Sequence, residues 1–193
     1  MSFLDTLLGR TKPKKPDLDA LFALPSAAVT LEASAGLKPA GEAAVCFKPA
    51  SGQAFAGMKT ELQDLLELSA GQSDSLLEET DDKYGYHWLA VKDPDLSDLV
   101  GSVHLVNTTL EDRGFGPQLL CSMFGFTGGG EEKGLFLVYL YKRGTFYPFT
   151  PRPGEKRDSE LELRARGVIA QDLVIEQDLT RWFPLWGVPL ETA

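Results

Sequence analysis

The segment Leu135–Arg157, LFLVYLYKRGTFYPFTPRPGEKR, decides the reading of the fold. It runs as a long apolar stretch, a tight Arg143–Gly144 turn, and an aromatic return punctuated by prolines. Leu135–Tyr141 and Phe146–Phe149 on either side of a glycine turn predict two paired strands. Pro148 cannot donate to a ladder, so its strand belongs at an edge or places that position where no donor is needed. Upstream, Gln118–Phe126 predicts another strand. Gly128–Gly130 with Glu131 and Glu132 then predicts a loose hairpin loop. Downstream, Asp158 caps a helix over 158–172 whose apolar positions are Leu161, Leu163 and Val168, with Gly167 weakening it. The closing RWFPLWGVPL reads as an ordered aromatic tail packed over the domain.

Further towards the N-terminus, Leu96–Arg113 carries Leu99, Val103, Val106 and Leu110 at helical spacing, with Gly114 placed to end the helix. Ala54–Leu68 repeats Phe55, Met58, Leu62, Leu65 and Leu66 in the same way. Tyr84–Val91 reads as an aromatic strand ended by Asp93–Pro94, with Ser75–Asp82 leading into it. Asp17–Leu24 predicts a short helix ended by Pro25. Ala27–Ala33 and Ala43–Lys48 predict strands separated by a turn at Gly36–Gly41. Strands and helices thus come in runs without βαβ alternation. That order predicts an α+β fold, a largely antiparallel sheet with helices packed on one face. Gly36–Phe47 and Gly114–Phe126 both lead from Gly-apolar-x-Pro into a cysteine-bearing strand, a faint internal duplication.

Residues 1–16 stand apart from the single α+β domain expected over 17–193. In SFLDTLLG, Phe3, Leu4, Leu7 and Leu8 share one side of a two-turn helix. RTKPKKPD then brings Lys12, Lys14 and Lys15 into an extended, proline-broken linker. Such a foot with a basic collar could touch an anionic membrane surface through these seven residues. No apolar run approaches the roughly 20 residues of a spanning helix. No signal-peptide layout is present, so the expected location is the cytoplasm, peripheral at the inner membrane face if the foot binds lipid.

The 193-residue chain is 43% hydrophobic and 24% charged, with a net charge of −9. Residues 51–100 hold 3 basic and 11 acidic residues, so nearly all of that charge sits in one quarter of the chain. An acidic chain without a dense basic face repels phosphate backbones, which argues against nucleic acid as a partner.

Chemical signatures are sparse in the chain. His87 and His104 form no metal-spaced set, and Cys46 and Cys121 read as separate, reduced core residues. The acidic run Glu78–Asp82 lacks the ligand alternation of a calcium loop and reads as solvated. The glycine-rich stretch 125–134 lacks the Lys-Ser/Thr of a phosphate loop, and no nucleophile elbow occurs. The expectation is therefore no enzyme, no cofactor and no metal site. The best polar constellation is Lys142, Arg143, Arg152, Lys156 and Arg157 beside Tyr139, Tyr141 and Tyr147. Arginines and aromatics anchor most interfaces, which nominates Arg143, Tyr147, Arg181, Trp182 and Trp186 for partner binding.

Several stretches carry a family resemblance: MSFLDTLLGRTKP, LDALFALPSAAVTLEA, AAVCFKPASGQAFAG, YGYHWL, DRGFGPQLLCSMFGF, LVYLYKRGTFYPFTP and DLTRWFPLWG. Together they span nearly the whole chain, which resembles the PspAB family of proteins associated with phage shock protein A. The resemblance implies a role in a phage-shock type of envelope-stress response, next to PspA-type membrane-binding proteins and HtpX-type membrane metalloproteases. It brings no catalytic residues. The reading it favours is a non-enzymatic adaptor or regulator binding a PspA-like or HtpX-like partner at the cytoplasmic membrane face. The alternatives are a chaperone-like module shielding an apolar client segment, or a small-molecule sensor using the basic hairpin.

Overall fold

The computed structural model describes residues 16–48, 57, 60–62, 64–65, 76–128 and 134–192. The N-terminal foot, with Phe3, Leu4, Leu7, Leu8, Lys12, Lys14 and Lys15, lies outside the described residues, as do the Glu131–Glu132 loop tip and most of the predicted 54–68 helix. Where that last segment is described it is helical, and Leu62 is buried.

A short 3-10 turn, Leu18–Ala23, runs directly into helix α1, Leu24–Ala35. Strand β1, Leu37–Phe47, follows; then β2, Leu76–Asp81; β3, His87–Lys92; and helix α2, Leu96–Asp112. Strands β4, Leu119–Gly128, β5, Leu135–Leu140, and β6, Thr145–Phe149, complete one antiparallel sheet in the order β2-β3-β1-β4-β5-β6. A small arm, β7 at Pro151–Arg152 paired with β8 at Lys156–Arg157, precedes helix α3, Ser159–Ile169. The α+β architecture expected from the order of elements is the one observed.

The sequence reading fails at Ala27–Ala33, which is helix and not strand. Pro25 starts α1 instead of ending a helix, because a proline in the first turn has no hydrogen bond to lose and arrives with helical φ. Leu24, Ala27, Ala28 and Leu31 then fall on one buried face, and Gly36 closes the helix in the left-handed conformation. By length and composition alone, Leu18–Ala35 is apolar enough to cross a membrane, a property the sequence reading denied to every stretch. Here Leu21, Leu24, Ala27 and Leu31 are buried in the domain core. The expected turn at Gly36–Gly41 belongs to β1, where Gly41 (φ 74°) sits at a bulge between Pro39 and Ala43.

α2 is capped as expected of its sequence: the Asp95 side chain accepts from the amides of Ser97 (2.7 Å) and Asp98 (3.2 Å). Its buried face, from Leu99 to Leu110, lies on β1 and β3, and the Asn107 amide donates to Ser122 Oγ on β4 at 2.9 Å. The Asp158 carboxylate caps α3 through Leu161 N at 3.0 Å. Pro148 lies in β6, an outer strand of the sheet, as its missing donor requires. The two segments read as a faint duplication, Gly36–Phe47 and Gly114–Phe126, lead into β1 and β4, which are neighbours in the sheet. Beyond them the strand orders of the two halves differ.

Candidate functional site: an aromatic cleft under the C-terminal tail

Residues opposite one another in an antiparallel ladder share a face of the sheet. Cys46 on β1 is opposite both Trp88 and Cys121, and Cys121 is opposite Leu140, so four side chains form one row. Ser122, the neighbour of Cys121, meets α2, so this row lies on the other face, away from that helix.

That second face is covered by the chain after α3. The tail first extends the sheet: Phe146 N donates to Val174 O and Glu176 N to Phe146 O, both at 2.8 Å. It then crosses the face. Trp182 stacks on Tyr147 with centroids 6.0 Å apart, and Trp186 meets Phe149 edge-on at 5.2 Å. The crossing ends at the buried Glu42 on β1, whose carboxylate accepts from the amides of Glu191 (2.8 Å) and Thr192 (2.7 Å).

Between tail and sheet lies a cleft of about 750 Å³. Its floor is the row Trp88–Cys46–Cys121–Leu140 with Leu120 and Tyr147, and its tail-side wall is Phe183–Trp186. The far wall is the β2–β3 turn, with Asp82, Tyr84 and Tyr86. Tyr84, Tyr86 and Phe183 are exposed at its mouth. The volume and the apolar lining suit a ligand or a peptide segment rather than water.

The turn is built by Asp82. Its Oδ1 accepts from the amides of Tyr84 (2.8 Å) and Tyr86 (3.0 Å), and its Oδ2 accepts from Trp88 Nε1 (2.9 Å). Burial alone would raise its pKa; these hydrogen bonds outweigh burial and hold the carboxyl below the ordinary range, so Asp82 is an anion at the cleft wall. The acidic run read as a solvated loop is therefore the edge strand β2 followed by this anchor, and the strand predicted from Tyr84 begins only at His87. Asp82 with Gly85 (φ 80°) three residues on is a turn signature that could have shown it.

The two cysteines, expected to be separate, sit side by side as free buried thiols. The hydrogen bond with Cys121, and after it burial, raise the Cys46 pKa, so Cys46 is a neutral thiol and no nucleophile at neutral pH.

The residues nominated for partner binding divide. Tyr147 is buried with its hydroxyl donating to Phe183 O at 2.8 Å, and Trp182 is buried with its indole donating to Glu176 O at 3.0 Å. Both hold the tail down. Trp186 is half-buried in the cleft wall, and Arg181 is exposed and pairs with Asp178 at 3.1 Å. Arg143 forms an ion pair with the buried Glu176, which also accepts from Thr145 Oγ1 at 3.0 Å. Elsewhere on the basic hairpin, Arg152 pairs with Asp158 at 2.6 Å, and Arg157 with the buried Glu162 at 2.9 Å. Lys142 Nζ donates to Pro117 O at 3.0 Å. The three arginines of the hairpin are thus each paired with a carboxylate of the domain. Phe183, Leu185, Leu120 and Leu140 were missed, because only the tail's path across the sheet brings them together.

His87 pairs with Asp81 and stacks on Phe47 at 5.6 Å, and His104 contacts Asp19 at 3.3 Å and the Phe22 ring at 4.9 Å, both packing roles. Among the described residues no group of three or more His, Cys, Asp or Glu side chains could hold a metal ion.

The family described as PspAB, PspA associated protein B, matches residues 1–190. The chain belongs to the PspAB family. Comparison of this PspAB chain with curated proteins and with solved structures gives no match. Family membership links this PspAB chain to PspA.

Proposed function

We propose that this protein is a non-enzymatic adaptor of a phage-shock, envelope-stress system, which receives an apolar segment of its partner in the cleft under the tail. The observation that carries the reading is the cleft itself, whose mouth leaves Tyr84, Tyr86 and Phe183 exposed around an apolar floor. Exposed aromatics beside a desolvated pocket are the usual makings of a binding hot spot. The partner is a PspA-type protein, with an HtpX-type membrane protease as the second choice, met at the cytoplasmic face of the membrane. A chaperone-like module would use the same cleft but accept apolar segments with little regard to sequence.

Co-purification with a PspA-type protein tests this, comparing the native chain with Tyr86→Ala and Phe183→Ala. These positions are exposed, so the fold should survive. The expected result is a loss of about tenfold or more in partner affinity, as for truncated hot-spot residues. Unchanged capture by both variants would sink the assignment. Equal binding of unrelated apolar peptides would move it to the chaperone reading.

A further inference from the structure

We infer that the cleft selects a cationic side chain within an apolar segment: an arginine or lysine whose aliphatic stem lies on the aromatic lining and whose charged head sits beside Asp82. The inference rests on the cleft being the binding site and names the chemistry that it recognises.

The lining is apolar and aromatic with one exception. Among the described residues that form it, Asp82 alone carries a charge. Its Oδ1 accepts two amides of its own turn, and its Oδ2 accepts the Trp88 indole at 2.9 Å. A carboxylate offers about four acceptor sites, so one on Oδ2 is left, next to an indole that belongs to the cleft floor. The cations on the surrounding elements are committed to other carboxylates: Lys83 to Glu155 (2.5 Å), Lys92 to Glu191 (2.7 Å) and Arg157 to Glu162 (2.9 Å). Asp82 is therefore an anion in an apolar wall with no counter-charge among the described residues. By register Glu78 shares the face of Trp88, which adds a second acid to this side of the sheet.

The rings favour the same ligand. Aromatic faces attract cations, and Tyr84 shows this already, with the Lys83 ammonium 5.1 Å from its centroid. Tyr86, Trp88 and Trp186 offer further aromatic surface in the same cleft. A segment that displaces water from the cleft lowers the local dielectric, so a cation beside Asp82 gains while an anion is repelled. A wholly apolar segment would strip water from the carboxylate and return no charge to it. Both wrong ligands are thus selected against. Arginine suits the site better than lysine, because its guanidinium is more weakly hydrated and stacks on rings while donating in its plane.

The test titrates the full-length chain with acetylated, amidated peptides Ser-Leu-Val-X-Leu-Ser, where X is arginine, citrulline or glutamate, and follows tryptophan emission. Trp88 and Trp186 line the cleft, and the peptides contain no aromatic residue. Citrulline keeps the length and plane of arginine without its charge. The arginine peptide should bind about tenfold more tightly than the citrulline peptide, the scale of one charge-assisted or cation–π contact. The glutamate peptide should bind most weakly. In Asp82→Asn, which keeps a carbonyl oxygen for the turn amides, the arginine and citrulline peptides should bind alike. If that variant does not fold, the series on the native chain decides alone. Equal affinity of the native chain for arginine and citrulline would overturn the inference and leave the adaptor reading standing with an uncharged segment. Absence of binding by every peptide at millimolar concentration would overturn it too. So would tighter binding of phosphocholine than of the arginine peptide, since that would assign the cleft to a lipid headgroup. Partner capture is scored separately. A preference for arginine combined with capture indifferent to Tyr86→Ala and Phe183→Ala would retain this inference and reject the adaptor reading.

Discussion

Two residues with unremarkable sequence signals hold the site together. Glu42 is a buried carboxylate whose oxygens accept the Glu191 and Thr192 amides, and Gly134 lies where Thr192 crosses the sheet. A side chain at 134 would place its Cβ 1.8 Å from Thr192 Cγ2 and 2.8 Å from Phe126 O. Replacing Glu42 by alanine leaves two amides without their acceptor, at a cost of about 1–3 kcal/mol. Gly134→Ala is expected to cost a similar amount, about 1–3 kcal/mol, through overpacking. Urea midpoints check the size of both effects, and faster hydrogen exchange confined to residues 188–192 checks their place. Neither residue was legible beforehand. Glu42 has the composition of a surface strand residue, and nothing local says that Gly134 faces a tail 58 positions later.

At the scale of elements, the tail from Val174 to Thr192 is the decisive piece, and one of its anchors is ionic. Burial would raise the Glu176 pKa, but hydrogen bonds from Arg143, the Asp178 amide and Thr145 outweigh burial and hold it below its ordinary 4.5. A carboxyl depressed on folding adds stability above its unfolded pKa and loses it as pH falls through the folded pKa. The anchor should therefore weaken below about pH 4.5. Glu162 acts in the opposite sense: burial raises its pKa, which Arg157 only partly offsets, so its ionisation above the ordinary range opposes folding. The expected outcome is that Trp182 emission, followed in acid titration, shifts before far-ultraviolet ellipticity is lost. In Glu176→Gln the tail should be loosened already at neutral pH, with little further dependence between pH 3 and 5. A single coincident transition in both proteins would refute a separately anchored tail. The helices α2 and α3, the strands β4 to β6 and the edge position of Pro148 were legible because period, cap and missing donor are local signals. The strand expected at Ala27–Ala33 was not: alanines and a Val-Thr pair suit either structure, and only the burial of Leu24, Ala27 and Leu31 against the sheet settles it.

At the scale of the whole molecule, the sheet has two edges treated differently. β6 is partly paired by residues 174–176, whereas β2 has no outer strand partner among the described residues. An open edge invites pairing with a second copy, and charged side chains are the usual defence. Here the edge carries Glu78, Glu79 and Asp81, all three exposed. By register Glu78, opposite Ala90, shares the face of Trp88, whereas Glu79 and Asp81, opposite Leu89 and His87, face the α2 side, so the acids flank the edge on both faces. The guarding role is open to a direct test. Glu78→Thr/Glu79→Thr removes two charges while keeping strand propensity, and sedimentation velocity should then show self-association that grows with protein concentration and with salt. The native chain under the same conditions should remain at one sedimentation coefficient. If the variant stays equally dispersed, the acids are not guarding the edge.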